Sequence, residues 1–142
     1  MSEANKAVVL KFIEAMSSND PETAAECLSP DSWTTTMGRS RFAGRRPADM
    51  VLGAIESFKT LFPTGLRLRV DSVTAEGDRV VVEAKGNAMT SDDTPYANDY
   101  CFVATVNDGR IVKFNEYLCS IYAEEVLGPI VDKSEDLKIT QS

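Results

Sequence analysis

Glu116 is the residue whose type and placement most invite chemistry. It stands in Ile111-Val112-Lys113-Phe114-Asn115-Glu116-Tyr117-Leu118, after an Asn107-Asp108-Gly109-Arg110 turn. Side chains alternate across a strand, so Val112, Phe114, Glu116 and Leu118 share one face. Three of these are large and apolar, and the other is a carboxylate. Apolar surroundings disfavour the charged form of a carboxyl. Its pKa then moves toward neutrality, which suits general acid–base work. Two readings stay open. Glu116 is a structural buried acid tied to a cation or a backbone amide, or it is an acid–base group at the bottom of an apolar cavity. A slipped register would instead leave it exposed.

The chain contains no histidine. A Ser-His-Asp or Cys-His nucleophile system is therefore excluded. Histidine metal ligands are missing too, and neither a metal nor a cofactor is expected. No GxGxxG, GxxxxGK[ST] or GxSxG motif occurs, so neither a nucleotide nor a serine hydrolase is indicated. Acid–base chemistry falls to Asp, Glu, Lys, Tyr or Cys. The three cysteines, Cys27, Cys101 and Cys119, are odd in number and lack CxxC spacing. They suggest no disulfide framework or zinc motif and read as small buried hydrophobes.

A net charge of −7 argues against a nucleic-acid partner. The one basic cluster, Arg39, Arg41, Arg45 and Arg46, is either a solvated loop or an anion site at the start of the helix that follows. No apolar run approaches the ~20 residues of a membrane span. The N-terminus lacks the basic start and cleavage site of a secretory signal, so a cytoplasmic location is expected.

The elements that must position Glu116 can be read from periodicity. Val9, Phe12, Ile13 and Met16 predict a first helix over about residues 3–18. Asp20-Pro21-Glu22 starts a second, over about 21–28, with a cap, a first-turn proline and a favourable acid. Trp33-Thr34-Thr35-Thr36 reads as a short strand. Pro47 opens a third helix to about residue 61, buried through Val51, Ala54, Ile55, Phe58 and Leu61. Four strands follow, at about 66–71, 79–89, 96–106 and 110–118, the last pair joined by an Asp108-Gly109 hairpin turn. A short helix over about 120–127 closes the domain, and 129–142 reads as a polar tail. Helices early and strands late make an α+β fold with a single domain over 1–128.

In that order the chain resembles the SnoaL-like, nuclear transport factor 2-like superfamily. The resemblance spans about residues 5–128. It rests on the apolar first helix ending in Asn19-Asp20, the strand at Trp33, and Gly44-Arg45. It continues through Phe62-Pro63, Glu76-Gly77-Asp78-Arg79 and Tyr96-x-Asn98-x-Tyr100, and ends with Asp108-Gly109-Arg110-Ile111-Val112 leading to Glu116-Tyr117. It implies a cone-shaped α+β barrel, three N-terminal helices packed on a curved, mostly antiparallel sheet that encloses a cavity. Members include steroid isomerases, cyclases, epoxide hydrolases and non-catalytic binders, so fold alone does not settle function.

Against the epoxide hydrolase branch, Lys85-x-Asn87 and Glu116 match an Arg-x-Asp pair and a last-strand Asp, with one acid replaced by an amide. Trp33-x-Thr35 stands where that branch has Tyr-x-Asn. The resemblance places Val81, Glu83, Lys85, Asn87 and Met89 toward the cavity, and Val80, Val82, Ala84 and Ala88 against a second subunit. It implies Glu116, Lys85 and Asn87 as the catalytic group. Trp33, Thr35, Phe12, Met37, Phe58, Met89, Tyr96, Tyr100 and Phe102 would line the substrate site. The implied activity is cofactor-independent proton transfer on a small hydrophobic molecule, of isomerase, cyclase or dehydratase type, by a homodimer. The alternative is a non-catalytic binding or interaction dimer of the same fold.

Overall fold

Val9, Phe12, Ile13 and Met16 recur at three and four residues and bury one face of the first helix, α1 (Ser2–Ser17). The computed structural model describes residues 2–133, and the far end of the expected tail lies outside them. Asp20 caps α2 (Pro21–Cys27) by accepting from the Thr23 amide at 3.1 Å. The chain continues through β1 (Leu28–Thr36) and β2 (Gly44–Pro47), α3 (Ala48–Leu61), β3 (Arg69–Glu76), β4 (Arg79–Lys85), β5 (Ala88–Met89), β6 (Pro95–Tyr96), β7 (Asp99–Asn107), β8 (Arg110–Leu118) and α4 (Ser120–Asp132).

Six strands form one sheet in the order β2-β1-β8-β7-β4-β3, with β5 and β6 a separate pair. All its pairings are antiparallel except β1 with β8. The expected α+β architecture is present. The helices are divided differently, because the β1–β2 hairpin separates α3 from α1 and α2, and α4 is a full closing element.

Several boundaries moved for local reasons. The strand expected from Leu66 starts at Arg69, because Arg67 takes a left-handed φ of 54° that extended backbone does not allow. Leu66 and Leu68 instead donate their amides to the carbonyl and hydroxyl of Ser17 at 3.0 and 2.8 Å. The strand expected over 79–89 divides at Gly86 and Asn87, whose amides leave the sheet for Asn98 and Leu66 carbonyls. β1 begins at Leu28, well before Trp33. α4 runs past Gly128 and carries Pro129 inside it.

β4 corrects the orientation that the family resemblance implied. Val80, Val82 and Ala84 are buried, as is Ala88 beyond them, while Glu83, Lys85, Asn87 and Met89 are exposed. The plain alternation of apolar residues names the inner face correctly, because burial of β-branched side chains outweighs the analogy. In β8 the register shifts opposite Thr105 and Val106, so Ile111 and Phe114 are both buried and Val112 is only half-buried. Beyond the shift, Phe114, Glu116 and Leu118 stay in phase.

The core beneath is aromatic. Phe114 meets Phe12 edge-on at 4.9 Å and stacks with Phe102 at 5.3 Å, and Phe102 stacks with Tyr100 at 5.6 Å. A second row runs Phe58, Phe62, Tyr96 and Tyr122 at centroid spacings of 5.6, 5.7 and 5.3 Å. Arg41, in the loop after β1, holds that loop on α4. Its Nε donates to Glu124 Oε1 at 2.8 Å, and its Nη1 donates to Asp132 Oδ1 at 2.6 Å and to the Gly128 carbonyl at 3.4 Å.

Candidate active site

Between the sheet, α3 and α4 lies a cavity of about 130 Å³. Its wall is mostly apolar, with Phe42, Val51, Phe58, Leu118 and Leu127 among its lining. Glu116 and Arg46 are the charged side chains on that wall, and Thr34, Thr36, Tyr96 and Tyr100 supply the rest of its polar groups. Their positions follow from strand phase. Thr34 and Thr36 alternate with Trp33 and Thr35 on β1, and Thr36 lies beside Glu116 across the parallel pairing.

Glu116 is half-buried and presents its carboxylate to the cavity. The Thr36 hydroxyl donates to its Oε1 at 3.2 Å. Burial raises the Glu116 pKa, and the Thr36 hydrogen bond and the Arg46 charge oppose that rise. Arg46 is 5% exposed. Its guanidinium donates to Thr36 Oγ1 at 3.3 Å, to the Gly44 carbonyl at 3.2 Å and to the Phe42 carbonyl at 2.7 Å. Because Arg46 occupies a lone pair of Thr36, the Thr36 proton is turned toward Glu116. The three residues form a relay that fixes the carboxylate's orientation and partly offsets its desolvation.

The two phenols differ in setting. Tyr96 accepts from Asn98 Nδ2 at 2.8 Å, and burial pushes its pKa up to about 12 despite that bond. Burial raises Tyr100 well above the ordinary value, with the neighbouring Tyr96 and Glu116 adding to the effect. Both are therefore protonated donors at neutral pH.

The structure brings together only part of the expected set. Glu116, Phe58, Tyr96 and Tyr100 line the cavity. Lys85 is on the opposite face, exposed and paired with Asp99 at 2.9 Å, so the expected Lys85–Glu116 pair does not form. Asn87 and Met89 are exposed with it. Trp33 is 40% exposed and lies under the Arg45 guanidinium at 4.0 Å, outside the cavity, and Thr35 faces the same way. Phe12 and Phe102 are core residues, and Met37 is half-buried away from the lining. Cys119 is exposed rather than buried, while Cys27 is buried and Cys101 half-buried.

Sequence reasoning missed Arg46 and the Thr34–Thr36 pair. The signal for the threonines was the same alternation that located Glu116, displaced by one residue. Arg46 had a weaker signal: it pairs with Thr34 across the β1–β2 hairpin, so it shares that residue's inner face. An arginine-rich loop otherwise reads as surface. The cluster is divided: Arg39 and Arg45 are exposed, with Arg45 over Trp33, while Arg41 clamps α4 and Arg46 is buried.

Fold and site together define a cone-shaped α+β protein with a carboxylate on the wall of an apolar cavity. A family model described as a SnoaL-like domain matches residues 9–114, and the chain belongs to that family. Solved structures share the fold at low identity. PrhC of Penicillium brasilianum is 15% identical, with 96% of this chain and 95% of that one covered and a TM-score of 0.82. A putative isomerase of Bacillus subtilis is 18% identical over 89% and 94%, with a TM-score of 0.76. An LEH-like epoxide hydrolase of M. tuberculosis is 19% identical over 94% and 98%, with a TM-score of 0.74. No curated protein matches the chain. Among the described residues no helix is long and apolar enough to cross a membrane.

Proposed function

We propose that this chain is a small cofactor-independent SnoaL-like enzyme that binds a hydrophobic metabolite and catalyses proton transfer, of isomerase, cyclase or dehydratase type. The observation that carries this reading is the Glu116 carboxylate, raised in pKa by burial and oriented by Thr36, on the wall of an apolar cavity. A base whose pKa moves toward the working pH abstracts and returns a proton efficiently. The Tyr96 hydroxyl, held by Asn98 and Tyr100, is the donor this reading assigns to a substrate oxygen that gains negative charge as the proton leaves. Lys85 and Asn87 have no part in this proposal, because they face away.

The test is solvent-deuterium incorporation into small cyclic ketones, followed by NMR. The parent protein exchanges the α-protons of at least one of them, and Glu116→Gln slows exchange about 10²–10⁴-fold. Equal rates in the two proteins would sink the assignment. The second reading, a non-catalytic binding protein of the same fold, draws on the relay itself, since Arg46 and Thr36 can hold a carboxylate for structural reasons alone. Binding without exchange by any ring compound selects it.

Either protein would be a homodimer formed through the outer face of the sheet. That face carries Trp33 and Tyr117, 40% and 42% exposed, with half-buried Val81 and Val103 between strands. An aromatic and aliphatic patch of this kind suits a self-complementary two-fold contact.

A further inference from the structure

We infer that Arg46 is a positioning residue that carries the seating of the 37–43 loop on α4 through to the Glu116 carboxylate. The inference rests on the reading of Glu116 as the cavity's acid–base group, and it adds what regulates that group.

The loop lies against α4 at two places. Gly38 and Gly44 stand at its ends with φ of 99° and 138°, a region that favours glycine. A Cβ on Gly38 would come within 2.9 Å of Ser120 Oγ, so glycine lets the chain pass close to the first residue of α4. Three residues on, Arg41 takes Glu124 with both its backbone amide and its Nε. Its Nη1 reaches the Gly128 carbonyl and Asp132. The chain then turns on Ser40, whose hydroxyl and carbonyl accept from the Phe42 and Ala43 amides at 3.1 and 3.0 Å. Phe42 joins the cavity wall.

Arg46 is bonded to this loop on one side and to the acid's partner on the other. Its Nη2 donates to the Phe42 carbonyl at 2.7 Å. Its Nη1 donates to the Gly44 carbonyl at 3.2 Å and to Thr36 Oγ1 at 3.3 Å. A planar guanidinium holds such partners in one fixed fork. When the two carbonyls move, the fork moves with them, and so does the hydroxyl that donates to Glu116 at 3.2 Å. Arg41's own bonds go to α4, so its influence on Glu116 runs through the loop.

The polar groups facing Glu116 are Thr36 from β1, Arg46 from β2, Tyr96 from β6 and Tyr100 from β7, while α3 and α4 bring apolar side chains. Both phenols are neutral when Glu116 titrates. Arg46 is then the charge that favours the ionised carboxylate.

The experiment follows the Glu116 side-chain carboxyl carbon by NMR as pH is varied, in the intact protein without substrate. Glu116→Gln identifies the signal by removing it. Arg46→Met moves the titration to higher pH. Arg46→Lys, which keeps the charge but not the fork, falls between that variant and the parent. The decisive variant combines Glu124→Gln with Asp132→Asn and releases the loop from α4. It removes two negative charges, and their direct field effect alone would lower the Glu116 pKa. Loss of the loop's seating raises it instead. If Arg46→Met does not fold, the double variant decides alone, since its two side chains are 33% and 62% exposed. An unmoved or lowered titration in the double variant overturns the link to the loop. An unmoved one in Arg46→Met overturns the role of Arg46. A lysine that restores the parent titration in full does the same, because a bare charge then suffices. No turnover is measured, so a parent protein that exchanges no protons counts against the enzymatic reading and not against this coupling.

Discussion

Thr36 makes two opposed hydrogen bonds with one hydroxyl, accepting from Arg46 and donating to Glu116. Thr36→Val removes a donor that lowers the Glu116 pKa, so the acid limb of any pH–rate profile moves to higher pH. It also costs about 1–3 kcal/mol, because buried polar groups lose a partner. An unmoved limb with lowered stability would leave Thr36 a purely structural residue. Glu116 itself has a folded pKa above its unfolded one. Its stabilising contribution is thus full below the ordinary glutamate pKa and is lost as pH rises through the raised value. The melting temperature of Glu116→Gln relative to the parent therefore climbs as pH rises above the ordinary glutamate pKa. A gap that narrows over that range contradicts the burial argument. At this scale the sequence was partly legible. Strand alternation exposed Glu116 as an anomaly, because period two needs no tertiary knowledge. Lys85 and Asn87 were misplaced by analogy, although the valines beside them gave the inner face correctly.

Asn98 shows how one side chain ties elements together. Its Nδ2 donates to Tyr96 Oη at 2.8 Å and to the Cys119 carbonyl at 3.1 Å, while its Oδ1 accepts from the Asp99 and Cys119 amides at 2.8 and 3.1 Å. It thus joins β6 and β7 to the start of α4. Asn98→Ala leaves several of these groups buried without partners, and chemical denaturation should report a loss of about 2–3 kcal/mol. A loss under about 0.5 kcal/mol, the scale of an ordinary surface change, would show that water replaces the amide. Arg41→Ala is milder. Its pairs are about one-third exposed at the Arg41 side chain and at Glu124, so only a small loss of stability is expected, shrinking as salt is added. β8 and α3 were readable to within a residue from turn chemistry and apolar spacing. The start of β3 was not, since Arg67 adopts a left-handed conformation that its residue type does not announce. The break after Lys85 was equally hidden, because the carbonyls that draw Gly86 and Asn87 away come from distant parts of the chain.

At the scale of the molecule, helices followed by strands, with one hairpin turn at Asp108-Gly109, were enough to indicate the architecture. The interior space was not legible, since its volume depends on how two aromatic rows stack. Nor is the assembly, which depends on a surface rather than a pattern. Tyr117→Asp places a charge on the exposed outer face. Light scattering is expected to show a dimer for the parent and a monomer for this variant, with near-unchanged melting of the isolated fold; a parent that runs as a monomer removes the dimer. One further consequence lies in α4. Pro129 has no amide to give the carbonyl of Glu125, so the helix lacks a rung there. Arg41 grips Glu124 and Gly128 before that gap and Asp132 after it. The same helix supplies Ala123 and Leu127 to the cavity wall. Arg41 thus splints the α4 side of the cavity wall across the turn where the helix's own backbone ladder is incomplete.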